Sequence, residues 1–398
     1  MPTLTTIIIG DEYVPKKMIE DNYIASIKQH YTIDSKTNIH YSSIKDIKLI
    51  LSNLDIVENQ ILCIIWIRSG ATKFLDVILP AQRYLNKFLK NNNNLLLFTE
   101  ALEPFNYIPV LQRFFKKENL KQIKYLTCNI DITNEDNDIE IIKFDSFIPY
   151  NFPILELLSN KPINITTDFF IPTKTIRATK YTVTSMLKYA GLLESNEYTY
   201  TQPTPEDLDV NANKILLEKF KDSPEITLLQ QSLTTTIEPN SIYIPKANKE
   251  VLGNRYGYIH INQELLDLHK TCMIGIVVED FFYIWNKRLQ KHDQFNLITE
   301  KIYNFIYCKK PFMMFQCKDF FKHFKEMGYK SFSPFINEDY DLIQDDITRF
   351  KAVIEEMKRI TNLSQEEKLI LQNNLIEVCN IILILCQKSI IIITYCYK

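Results

Sequence analysis

Short apolar runs bounded by polar turns alternate with amphipathic segments through the first 130 residues, and this alternation narrows the folds open to the chain more than any single motif. "TTIIIG" (5–10), "ILCIIWI" (61–67), "NLLLFTE" (94–100) and "KQIKYLTCN" (121–129) have strand length and β-branched or aromatic character. "DVILPAQRYLNKFLK" (76–90) and "YIPVLQRFFKKENL" (107–120) carry their apolar residues at helical spacing. Strands and helices in turn imply a parallel sheet with helices on both faces, an α/β fold.

"FIPYNFPILELLSNKPIN" (147–164) breaks the pattern with three prolines and reads as a linker. A second alternation follows. "ITTDFFIPTKTIRATKYTVTSMLKYAGLLE" (165–194) reads as strand, basic loop and helix, and the polar stretch from Tyr200 to about Pro245 as a long loop or helical insertion. "SIYIP", "GYIHI", "MIGIVVED" and "PFMMFQ" supply further strands, with helices at "TEKIYNFIYCKK" and "FFKHFKEMG". From Asp345 to about Ile384 the pattern is helical, with Ser364 and Glu367 placed as a capping box. The expected architecture is two Rossmann-like domains facing a cleft, residues 1–155 and 156–398, the second ending in a helical region.

Glycine restricts the chemistry. Seven glycines in 398 residues leave neither GxxxxGK[ST] nor GxGxxG, so a phosphate would have to be met by Lys, Arg and helix N-termini. A formal net charge of -2 with 24% charged residues removes the one-sign field of a nucleic-acid binder. The eight cysteines lie in apolar stretches without CxxC spacing, as reduced core residues of a cytoplasmic protein do. "MPTLTTIIIGDEYVPKK" has no basic n-region and reads as a first strand. "NLIEVCNIILILCQKSIIIITYCYK" is interrupted by Gln387 and Lys388, leaving pieces short of the roughly 20 residues of a spanning helix; it reads as buried helix plus strand, with membrane association disfavoured.

"IVVEDFFYIW…LITEKIYNFIYCKKPFMMFQCKDFFKHFKEMGYKSFSPFINEDYDLIQDDITRF" (276–350) resembles the C-terminal half of a family of GT-B-like glycosyltransferases of large viruses, phages and bacteria. There a strand ends at Glu-Thr, a TEK motif opens a helix, a Pro-Phe strand follows, and an Asp-Glu-Ser-Tyr-Asp segment precedes an Arg-containing helix. The TEK segment is also similar to that of fucosyltransferases, and the basic loop around Arg177 is a weaker second match. The chain departs from the family at Val278-Glu279-Asp280, where Glu-Thr is usual, and after Arg177, where Ala-Thr-Lys stands for Pro-His-Arg.

The resemblance implies a metal-independent transferase, cytoplasmic (in the host cell if viral), moving a sugar from a nucleotide sugar to a glycan or protein hydroxyl, with no cofactor and no nucleic-acid partner. Without a metal, charge on the departing diphosphate must be met by cations and a helix N-terminus. Lys301 takes that part, with Thr299 and Glu300 beside it; Glu300 can accept hydrogen bonds from sugar or ribose hydroxyls. Arg177 and Lys174, with Lys180 nearby, would approach the same phosphates, and Glu279 and Asp280 sit at a strand's carboxyl end. For a base that deprotonates the acceptor, the candidates after N-terminal strands are Glu100, Glu103, Asp11 and Glu12, with Glu100 preferred.

The residues also admit plainer roles. Glu300 suits a first helical turn through the macrodipole alone, Asp280 suits an N-cap, and Lys301 or Arg177 suits a solvated surface. Asp207–Asp209 and Asp339–Asp341 have the DxD form of a metal pair but lie in a polar loop and in the family segment, and no zinc spacing or GxSxG elbow occurs. The alternative to an enzyme is a noncatalytic GT-B-like binding or structural protein of a virus.

Overall fold

Continuous apolar runs become buried parallel strands. The computed structural model describes residues 3–10, 37–42, 47–53, 60–67, 72–90, 93–100, 108–127, 138–143, 164–173, 178–200, 212–235, 237, 263–279, 284–286, 291–293, 296 and 298–395. They form two compact units, Met1–Pro149 with Ser389–Lys398, and Tyr150–Lys388.

The first unit holds a parallel sheet of six strands: β1 (Thr3–Gly10), β2 (Thr37–Ser42), β3 (Gln60–Ile67), β4 (Asn94–Glu100), β5 (Ile123–Thr127) and β6 (Glu140–Lys143), in the order β2-β1-β3-β4-β5-β6. Four successive β3 residues, Ile61 to Ile64, are buried, as a strand covered on both faces requires. Its helices are α1 (Ile47–Ser52), α2 (Thr72–Leu89), α3 (Ile108–Phe114) and the single turn α4 (Lys117–Leu120). Ala81, Leu85, Phe88 and Leu89 put one face of α2 into the core at helical spacing. Asn93, fully buried, joins α2 to β3 by accepting from Gln60 N (2.7 Å) and donating to the Phe88 carbonyl (3.2 Å). A buried amide is tolerated because both of its ends are bonded.

In the second unit β7 (Thr167–Thr173), β8 (Glu197–Tyr200), β9 (Cys272–Val278) and β12 (Phe312–Phe315) form a parallel sheet in the order β12-β9-β7-β8, and β10 (Ile284–Asn286) pairs antiparallel with β11 (Lys291–Asp293). The helices are α5 (Ala178–Tyr189), α6 (Ala212–Lys219), α7 (Ile226–Ser232), α8 (Gln263–Thr271), α9 (Glu300–Tyr307), α10 (Phe320–Glu326), α11 (Asp346–Thr361) and α12 (Gln365–Tyr395), whose residues from Ser389 belong to the first unit, with a 3-10 turn at Asp339–Leu342. All seven residues of β9 are buried. Gly275 at its middle lets α9 close onto the strand, since a Cβ there would lie 2.2 Å from the Phe305 ring. Gly191 and Gly328, at φ 74° and 91°, follow α5 and α10 in the left-handed conformation that ends a helix.

The strand and helix expected over 165–194 appear as β7 and α5, the basic loop between them lies outside the described residues, and the insertion after Tyr200 is helical where described, at α6 and α7. The capping box forms: Ser364 N donates to Glu367 (2.8 Å) and Glu367 N to Ser364 Oγ (3.2 Å). One expectation is overturned. The apolar end is one continuous helix to Tyr395, not helix plus strand, so the polar pair at Gln387 and Lys388 interrupts nothing. Its Gln365–Leu385 part is long and apolar enough, by length and composition, to cross a membrane, although Leu371, Leu375, Cys379 and Ile382 bury one face. Leu369, Ile370, Ile381 and Ile384 are exposed on the other. The linker at 147–163 and the "SIYIP" and "GYIHI" segments lie outside the described residues.

Candidate functional site

From β7 the chain moves one way, to β8, and from β9 the other, to β12, so the strand order reverses between β7 and β9. Side chains leaving the carboxyl ends of strands at such a reversal are not covered by their own crossovers, which is where open α/β sheets bind ligands. Phe170 pairs with Gly275, so three residues on Thr173 comes level with Val278, and the next residue of β9's chain is Glu279.

Glu279 is buried. Its N–H donates to the Phe315 carbonyl (3.2 Å), fixing it to the end of β12. Thr299 is the N-cap of α9, with extended backbone at φ -101° and ψ 174°, and its hydroxyl oxygen accepts from Lys301 N at 3.3 Å. The same hydroxyl donates to Glu279 Oε1, and Lys301 Nζ donates to Glu279 Oε2 at 2.9 Å. One carboxylate thus takes both neighbours of Glu300. The Lys301 and Glu279 side chains are 19% and 6% exposed, so the pair is withdrawn from bulk water rather than lying on the surface. A lysine in a first helical turn opposes the helix dipole, and Glu279 offsets that. The threonine, glutamate and lysine of the TEK segment therefore have an immediate structural reason for their order. Thr299 caps, Glu300 is the first helical residue, and Lys301 reaches back to the sheet.

Three of the six expected donor-side residues, Glu279, Thr299 and Lys301, come together. Lys174 and Arg177 lie outside the described residues, between β7 and α5, as do Asp280, Asp11, Glu12 and Glu103. The backbone of Glu300 opens α9 and that of Glu100 ends β4, opposite Ile67, while their side chains lie outside what is described. Lys180 sits early in α5 and is buried, not a solvated loop cation.

Other polar side chains at the same edge carry no motif. Asn296 is buried and donates to the Lys318 carbonyl at 2.8 Å, and Gln316, directly after β12, is buried too. Arg349, 1% exposed, donates to the Gln316 carbonyl (2.9 Å), to the Ile343 carbonyl (2.6 Å) and to Asp346, so it braces the end of β12. Lys219, exposed at the end of α6, stands near Asp346 and Cys317; partial desolvation of its ammonium lowers its pKa, and Asp346 opposes that. Asp341 of the DxD-like pair caps α10, accepting from Phe320 N and Phe321 N at 2.9 Å each. Asp207 and Asp209 lie outside the described residues. Cys272, Cys308 and Cys379 are free and buried, which pushes their thiols up to about 12 and leaves them protonated.

No protein-family model matches the chain, and no curated protein matches it. Among solved structures, a trehalose-6-phosphate protein of E. coli bound with UDP-2-fluoro glucose is similar at 12% identity, over 97% of this chain and 98% of that one, with a TM-score of 0.40. A glycosyltransferase from Rickettsia africae is similar at 12% identity, over 100% and 99%, with a TM-score of 0.35. The N-terminal domain of Candida albicans trehalose-6-phosphate phosphatase gives 7% identity, full coverage of both chains and a TM-score of 0.39. These likenesses are weak in identity and in superposition, and the functional reading rests on the residues themselves.

Proposed function

We propose that the chain is a GT-B-like, metal-independent glycosyltransferase of the cytoplasm, with the nucleotide-sugar donor held by the second unit and the glycan or protein acceptor by the first. The observation that carries this reading is the Glu279–Thr299–Lys301 cluster at the strand reversal between β7 and β9. In it Lys301 turns from Glu279 to the donor diphosphate, and the helix it opens adds the partial positive charge of its N-terminus. Glu279 and Glu300 accept hydrogen bonds from ribose or sugar hydroxyls. Arg177 and Lys174, on the segment after β7, supply further positive charge, and Glu100 takes the acceptor proton.

A noncatalytic descendant is favoured by one observation, the ion pair that already satisfies Lys301. Thermal unfolding with a panel of nucleoside diphosphates and nucleotide sugars, with and without magnesium, separates the two. A ligand at about 100 times its dissociation constant stabilises the native state by roughly 2.7 kcal/mol. The transferase reading expects a magnesium-independent shift with one nucleotide, absent in a folded Glu279→Gln/Lys301→Met variant. No shift with any nucleotide would leave the noncatalytic scaffold.

A further inference from the structure

The second unit has a cavity of about 440 Å³ between α10, the loop 333–338, the 3-10 turn and Arg359 of α11. That volume is in the range of small-molecule sites, roughly 300–1,000 Å³. Its walls are fastened from behind. Glu338 accepts from Phe332 N (2.7 Å), Asn337 N donates to Glu356 (2.9 Å), and Arg359 pairs with Glu356 (2.6 Å) while also donating to the Phe335 carbonyl (3.4 Å). Asn337 Oδ1 accepts from Asp339 N at 2.9 Å, and Asp341 holds the start of α10. The loop is therefore set in place before any ligand arrives, which lowers the ordering cost of binding.

What lines the cavity is less satisfied than what supports it. Lys322 and Lys325 are exposed, three residues apart on α10; the Lys322 N–H donates to Asp341 (3.4 Å) and the Lys325 charge acts on Glu338, but neither ammonium group makes a hydrogen bond or close ion pair among the described residues. Residues at that spacing are neighbours on a helix face, so their like charges favour an anion between them, and the Glu338 and Asp341 carboxylates that line the same cavity offset them only in part. Pro334 and the half-buried Phe335 provide an apolar wall, while Asn337 and the exposed carboxylate of Asp339 stand on the loop and turn across from the lysines. Asp339 accepts hydrogen bonds and repels a second anionic group.

We propose that this cavity binds a monosaccharide bearing one anionic group, its phosphate or carboxylate between Lys322 and Lys325, its ring against Pro334 and Phe335, and its hydroxyls on Asn337 and Asp339. The site is separate from the Lys301 cluster and does not depend on it.

Isothermal titration of the full chain with glucose 1-phosphate, glucuronate, glucose and inorganic phosphate tests this. At least one anionic sugar binds more tightly than either glucose or inorganic phosphate, and comparison of the two anionic sugars identifies the preferred anion. The Lys322→Ala/Lys325→Ala variant, altered only at exposed positions, binds it about tenfold more weakly or worse. The Glu279→Gln/Lys301→Met variant binds it unchanged. Binding of neither anionic sugar, phosphate binding as tightly as the sugars, or indifference to the two lysines would each overturn the proposal.

Discussion

Lys301 and Glu279 are 22 residues apart, and nothing in either local sequence announces that they pair. The helix start at Thr299 was legible, because a threonine before an acidic first turn is a local signal. The partner was not, because it depends on how closely α9 packs on β9. A withdrawn ion pair makes an asymmetric prediction. Lys301→Ala leaves a carboxylate unpaired in a water-poor site and should cost about 3 kcal/mol in urea unfolding, whereas Glu279→Gln/Lys301→Met removes both charges and should recover most of that loss. Equal losses in the single and double variants would show that the pair is not coupled.

At the scale of elements, the central strands were readable and, apart from the apolar β12, the edge strands of the two parallel sheets were not. β1, β3, β4 and β9 are apolar runs because neighbours cover them on both sides, whereas "TNIHYS" of β2, "EIIK" of β6 and "EYTY" of β8 stand at sheet edges, are short, and mix polar residues into the run. The isoleucine-rich end misled in the other direction. β-branched residues favour strands only weakly, and the segment continues a capped helix whose backbone bonds are internal. The fit of α9 on β9 gives a second prediction. Gly275→Ala places a methyl inside the Phe305 ring's volume and should destabilise the second unit by about 1–3 kcal/mol, and Phe305→Leu in the same chain should restore part of it. If Gly275→Ala unfolds at the wild-type urea concentration, the close approach is not a constraint.

For the molecule as a whole, the pH profile follows from two buried carboxyls. Burial pushes Glu338 from 4.5 up to about 7 and Asp341 from 3.8 up to about 6, against hydrogen bonds that hold each down. Both fold more readily protonated, so their contribution is fully present below their unfolded values and is lost as pH rises through 6 and 7. Groups with lowered values, Glu194 and Asp345 among them, act the opposite way at lower pH. The second unit should therefore be most stable near about pH 5 and weaker at about pH 8, and Glu338→Gln should flatten the fall between them. A thermal midpoint that climbs steadily from pH 5 to 8 would contradict this. Charge placement matters at the proposed donor site as well. Glu279 behaves there as a resident competitor, tethered beside Lys301 at an undilutable local concentration. On that proposal a weak or singly charged anion would not dislodge it, the threshold for occupancy would be set by the protein's own carboxylate, and selectivity for densely charged ligands would follow without any contact that reads their identity.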